Sequence, residues 1–216
     1  MDLINLLLKG TIETLIMVSI SWIISYLIGI PLGVILVITK DNGIKRNKVI
    51  YQILEWIINT ARSIPFFILM VLVIPLTRYI VGTSIGTIAF LVPLTLGATP
   101  FIARMVETSL EEVSQGVIEA AQVMGASTWQ IVTKVYLKES IPSLVRGGSI
   151  TTIALIGYSA MAGVVGGNGL GDIAIRYGLH RYQNNVMIYT LIILIILVQI
   201  IQIIFNYIAK KIDKRK

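Results

Sequence analysis

The chain has 216 residues, a formal net charge of +7 and no cysteine. It is 56% hydrophobic, 13% charged and has a mean hydropathy of +0.85; soluble domains average about 25% charged residues, so a soluble globular fold is excluded. The missing thiols exclude disulfide staples and thiolate chemistry. In so apolar a chain the positive charge belongs to basic residues at span ends, not to a nucleic-acid surface.

Residues 14–39 carry no charge and no histidine, and they give a first expected span over about 12–39. The run is too long for the core of a signal peptide, and its basic cluster (Lys40, Lys45, Arg46 and Lys48) follows it instead of preceding it, so cleavage is not expected. Gly29-Ile30-Pro31 marks a kink. A second span is expected over about 55–77, apolar except for Arg62, with Pro65 as a second kink. A charge at the bilayer centre costs about 2.5–3.5 kcal/mol on insertion scales. Arg62 therefore either belongs to a translocation path with Ser63 and Pro65, or snorkels to the headgroups on the Glu55 side. The uncharged run 79–103 gives a third span over about 80–104.

The segment 104–146 is the longest that does not span, and about 114–142 of it reads as helix, tight turn, helix. Gln115 to Met124 forms the first helix, and Gly125 stops it because glycine tolerates left-handed dihedrals. Ser127 is the expected N-cap of the second helix, with Gln130 completing a capping box. That helix shows Trp129, Val132, Val135 and Tyr136 on one face and is expected to end at Ile141-Pro142. An interfacial helix resting on headgroups favours bulky apolar residues and lysines. Glu119-Ala120-Ala121 supplies neither: small side chains let another protein come close, and one carboxylate offers a directional bond. The segment reads as a protein-docking surface.

The uncharged run 147–171 contains the fourth span, about 146–166, with eight glycines between Arg146 and Asp172. Small residues permit close helix packing. Tyr158 and Ser159 are different, because a hydroxyl in hydrocarbon needs a partner or water, and lining a path would supply one. Met161 has the soft, flexible side chain that suits a gate. After a glycine-rich loop with Asp172, Arg176, His180, Arg181 and Tyr182, the run 182–209 gives a fifth span over about 185–209 and then a tail with Lys210, Lys211, Lys214, Arg215 and Lys216.

Each run exceeds the roughly 20 residues needed to cross about 30 Å of hydrocarbon. The expected fold is all-α, a polytopic membrane protein forming one transmembrane domain over 1–216, with the helix pair between spans 3 and 4. Five spans put the basic first loop, the 104–146 segment and the basic tail on one side, so the positive-inside rule places the N-terminus outside and the C-terminus in the cytoplasm. No P-loop is present, and the glycines of 166–171 lack a phosphate-binding lysine. His180 has no histidine or cysteine to share a metal, and no metal site is expected. No expected span buries a carboxylate at membrane depth, which disfavours a proton relay, and no buried carboxylate pair or histidine cluster is available for an intramembrane hydrolase.

The stretch "EAAQVMGASTWQIVTKVYLKESIP" resembles the coupling loop of ABC-importer permeases of the binding-protein-dependent type, in which E-A-A-x-x-x-G is followed by a hydrophobic helix. Glu119, Ala120, Ala121 and Gly125 match; Met124, Ser127 and Trp129 lie in the same stretch and join them as ATPase-coupling candidates. Lys138 departs from the pattern, since the family usually has proline after a leucine such as Leu137. The longer strings "RSIPF", "IPLTRYIVGTSIG" and "IGYSAMAGVVGGNGLGDIAIRYG" are most similar to the methionine-uptake branch. The resemblance implies a type I importer fold, a homodimer with two cytoplasmic ATPase subunits, and an external solute-binding protein meeting Asp172, Arg176 and Tyr182. It also implies D- or L-methionine as substrate and ATP and Mg bound by the ATPase, with no cofactor in this chain. Another small solute on the same architecture, or a secondary transporter or channel driven by an ion gradient, are the alternatives.

Overall fold

The computed structural model describes residues 2–213. The fold is all-α, with no strand among the described residues. Helix α1 (Leu3–Thr39) is 37 residues long and runs through Pro31 as one helix. Its glycines act as packing points: a Cβ on Gly29 would lie 2.6 Å from the Ile102 side chain, and one on Gly33 would lie 2.6 Å from the Ala103 carbonyl oxygen. Such close approach is open only to small residues.

The second expected span is broken. Helix α2 (Lys48–Ser63) and helix α3 (Phe66–Leu72) meet at 100°. Pro65, at φ −56° and ψ 131°, caps α3, and proline disfavours the helical region for the residue before it. The expected kink is therefore a full change of direction. Helix α4 (Ile74–Val81) follows at once and ends on Gly82, whose φ is +82°.

Helix α5 (Thr87–Glu111) continues past the uncharged run and carries Arg104, Glu107 and Glu111. Helices α6 (Gln115–Val123), α7 (Thr128–Ile131) and α8 (Leu137–Glu139) form the non-spanning pair, with a π-helical turn over Val132–Tyr136. The pair ends at Glu139, next to the expected Ile141-Pro142, and these two residues also open α9 (Ile141–Ala160), because proline is tolerated in a first helical turn. A 3₁₀ turn (Met161–Val165), α10 (Leu170–Ile173), a π-helical turn (Ala174–Leu179) and α11 (Asn184–Ile212) complete the chain.

Among the described residues, four stretches are long and apolar enough to cross a membrane: Leu3–Thr39, Thr87–Glu111, Ile141–Val165 and Asn184–Ile212; the bent α2–α3 pair makes a fifth if it is one span. Only 6% of the most apolar window of the last is buried. Its exposed face, including Ile195, Ile196 and Ile203, is a surface for lipid or another protein.

The described residues fall into two compact units. One lies within Met1–Ser25, Ile64–Ala98 and Thr151–Ile203, where Met17, Leu94, Leu155 and Leu170 are fully buried. The other lies within Tyr26–Ser63, Thr99–Ile150 and Ile204–Lys216, where Leu36, Ile58 and Ala103 form a core with Leu32, Tyr51 and Leu54 packed on it.

Charges in the spanning helices exceed the sequence expectation, which left Arg62 alone. Glu107 is 3% exposed within α5 and pairs with Arg104 at 2.5 Å, while Glu55 of α2 lies 3.5 Å from the same guanidinium. Helix α1 carries Lys9 and Glu13, 3.9 Å apart. A carboxylate is therefore buried in a spanning helix after all, with a cation beside it as its burial requires.

Candidate functional sites

The helix pair in the second unit is built as a rigid knuckle. Helix α6 buries Ile118 and Ala121, and turns Glu119 and Ala120 to the surface. Its end is a Schellman motif: the Gly125 N–H donates to the Gln122 carbonyl at 2.9 Å, and the Ala126 N–H donates to the Ala121 carbonyl at 3.0 Å. Gly125 has φ +78°, the left-handed value that this motif requires. Ser127 then caps α7. The Gln130 N–H donates to Ser127 Oγ at 3.3 Å, and the Ser127 N–H donates to Gln130 Oε1 at 2.8 Å. This is the reciprocal capping box expected from the sequence. Ser127→Ala is expected to lower stability by about 1 kcal/mol, read as a drop in the apparent melting temperature of the purified protein.

The second helix buries most of the expected face and leaves one member of it out. Ile131, Val132 and Tyr136 are buried, but Trp129 is 74% exposed. Burial pushes the Tyr136 phenol up, and the negative charge of Glu111 adds to the shift. The far end is anchored to α5: Ser140 Oγ donates to the Ser109 carbonyl at 2.9 Å, and Ser143 Oγ donates to Glu112 Oε1 at 2.9 Å. What remains exposed around the turn is Glu119, Ala120, Val123, Met124, Gly125 and Trp129, with Val123 at 88% and Met124 at 80%. Ala121 points inward and takes no part in that surface. This is an apolar prominence with one carboxylate, set on a fixed backbone: the make-up of a docking site.

The other candidate lies in the first unit, where α9 ends. Tyr158 stacks on Phe66 with ring centroids 4.2 Å apart and planes at 10°, and Phe66 meets Phe90 edge-on at 6.4 Å. Pro65 therefore acts by starting the short helix whose first residue holds Tyr158. Ser159 is 2% exposed and its hydroxyl donates to the Ile156 carbonyl at 2.8 Å, so its own helix satisfies it and it faces no path in this chain. Met161 is 40% exposed at the first position of the 3₁₀ turn. Arg62 and Ser63 are exposed residues of the second unit, and Ser63 Oγ donates to the Asn59 carbonyl at 2.8 Å.

The three residues expected to meet an external protein separate. Asp172 is 7% exposed and held in an ion pair with Arg176, so it is a structural acceptor, not a contact. Arg176 and Arg181 both lie over the Tyr177 ring, at 5.5 and 4.6 Å from its centroid, a cation–π arrangement that stiffens the loop. Tyr182 is 86% exposed at φ +56°, uncommon for a bulky residue and a sign that its environment fixes it. Tyr177 and the contacts of Glu13 and Thr14 described below escaped the sequence reading. The last pair had one signal: a carboxylate followed by a hydroxyl inside an apolar helix.

A family described as "Binding-protein-dependent transport system inner membrane component" matches residues 29–216. The chain is 51% identical over 211 residues, 98% of its length and 94% of the relative's, to the "Probable D-methionine transport system permease protein MetI" of Vibrio cholerae. It is 52% identical to the D-methionine transport system permease protein MetI of Escherichia coli (strain K12) over 158 residues, 73% of each chain. A solved structure of the MetNI methionine ABC transporter in inward facing conformations superposes with a TM-score of 0.96 at 48% identity, covering 98% of both chains. An amino acid ABC transporter at 18% identity and a TM-score of 0.78, covering 96% of this chain and 94% of that one, shares the fold alone. With a family match over most of its length and half its residues identical to a permease, the chain belongs to the binding-protein-dependent transport system inner membrane components.

Proposed function

We propose that the chain is the membrane permease subunit of an ATP-driven methionine importer. The observation that carries this reading is the near full-length likeness to D-methionine permeases. Two copies enclose the path, since one chain with five spans at most supplies half of a central channel and two-fold closure is the commonest symmetry. Two cytoplasmic ATPase subunits bind and hydrolyse ATP with Mg, and this chain hydrolyses none. Their closure pulls the Glu119–Trp129 knuckles together, and the bundles turn to face outward. An external binding protein delivers methionine to the side carrying Arg176, Arg181 and Tyr182. The distribution of basic residues supports an N-terminus outside the cell and a C-terminus within it.

Reconstitution with the ATPase and binding protein tests the function directly. Uptake of labelled methionine is expected to need ATP and to be competed by unlabelled D- or L-methionine. Competition by an unrelated solute but not by methionine removes the substrate, and uptake driven by an ion gradient without ATP removes the mechanism. Met161 is the residue we assign as the gate, on its exposure at the end of the path helix and its flexible side chain. Met161→Ala is expected to raise passive methionine efflux from proteoliposomes about tenfold, the equivalent of about 1.4 kcal/mol in the closed state. Unchanged leak and unchanged uptake together would remove the gate.

A further inference from the structure

We propose that Glu13 and Thr14, about three turns into α1, are positioning residues for the gate turn. The inference rests on the reading of Met161 as the gate. The turn that begins with Met161 does not stand alone, because α10 is packed against it at backbone distance. A Cβ on Gly171 would lie 2.2 Å from the Ala160 carbonyl oxygen, and one on Gly163 would lie 2.5 Å from the Asp172 Cα. Nothing larger than glycine fits either place, so a displacement of α10 is transmitted to the turn without slack.

What holds α10 comes from α1. A short helix leaves its first N–H groups without internal acceptors. Here the Gly169 N–H donates to Glu13 Oε2 at 3.1 Å and the Leu170 N–H donates to Thr14 Oγ1 at 2.9 Å. Gly169, at φ +95°, lies so close that a Cβ would meet Thr14 Oγ1 at 2.7 Å. A Cβ on Gly10 would meet the Ile173 side chain at 2.3 Å, so α1 lies tightly along this segment. Asn168 adds a third tether, its side-chain amide donating to Thr87 Oγ1 at 3.1 Å.

Thr14 is 1% exposed and the Glu13 side chain 19%. Bonds made away from water, one of them to a carboxylate, are stronger than their surface equivalents, and a lost acceptor leaves a buried N–H unpaired. This accounts for a carboxylate in a helix that is otherwise apolar. It fixes the loop on which the gate turn rests, and Lys9 balances its charge.

The test uses the complete transporter in proteoliposomes loaded with labelled methionine, with efflux measured in the absence of ATP and ATP hydrolysis measured separately. Glu13→Leu and Thr14→Val are each expected to raise passive efflux about tenfold while leaving ATP hydrolysis within about twofold of the parent. Glu13→Gln keeps an acceptor oxygen and is expected to stay as tight as the parent. Efflux unchanged in both Glu13→Leu and Thr14→Val overturns the proposal. So does a parallel fall in hydrolysis and uptake without leak, which would mark a general loss of structure, and so does a Glu13→Gln variant as leaky as Glu13→Leu. A leak in Met161→Ala with none in these two variants faults the anchor and keeps the gate; the reverse faults the gate and keeps the anchor.

Discussion

Arg104→Leu is expected to destabilise the protein by about 2–4 kcal/mol, the largest stability loss we assign to a single side chain outside the glycines. Glu107 is 3% exposed and its close cation is Arg104 at 2.5 Å. Removing the guanidinium leaves two choices for Glu107, an unpaired buried charge or an uptake of protons to neutralise it, and both cost free energy. The range stands below the 3–5 kcal/mol of a fully buried pair because the Arg104 side chain is 32% exposed and water screens part of the attraction. Glu55, 3.5 Å away on α2, loses its cation in the same change, so the contact between α2 and α5 loosens. On the scaling for a chain of this size the apparent melting temperature falls by about 4–16 °C. Arg104→Leu with Glu107→Leu is the decisive control. A buried ion pair replaced by apolar residues of similar volume is often neutral or stabilising, so the double variant is expected to melt above the single one. A single variant within about 0.5 kcal/mol of the parent, or a double variant no better than the single, would refute the role given to this pair.

The sequence foretold the local features well and the long-range ones poorly, for reasons that follow from the interactions involved. Gly125, Ser127, Gln130 and Pro65 act through their own backbone or through neighbours three residues away. Spacing and residue type therefore report them, and the structure has the turn, the capping box and the break where they are expected. Glu107 and Asp172 were misplaced because a charged residue is read as surface unless its partner is known. Arg104 lies three residues away on the same helix, and Arg176 sits within a π-helical turn. The contacts of Glu13 and Thr14 join residues 156 apart in the chain, and no local pattern encodes such a pairing.

The second large effect falls on coupling. Glu119→Lys is expected to weaken binding of the ATPase about thirty-fold to several-thousand-fold, the range for losing one partner of a charge pair at an interface. Glu119 is exposed beside Ala120, Val123 and Met124 on a helix whose end is fixed by the Schellman motif. Reversing its charge therefore changes the docking surface without disturbing what holds it. Gly125→Val acts through the backbone alone, because a Cβ there would meet nothing within 4 Å. A β-branched residue at φ +78° costs about 1–3 kcal/mol. The turn relaxes to another conformation, and Met124 and Trp129 leave their common setting. Gly125→Asn is the discriminating partner, since asparagine tolerates the left-handed region. In a transport assay with the ATPase present, Glu119→Lys and Gly125→Val are expected to abolish methionine uptake, and Gly125→Asn to retain most of it. Should Gly125→Val transport normally, the rigid knuckle is not what couples the two proteins; should Glu119→Lys bind the ATPase as tightly as the parent, the carboxylate is not the contact. Failure of Gly125→Asn together with Gly125→Val would shift the cause from the backbone to the surface at that position, where the ATPase would then have to approach within a side chain's width.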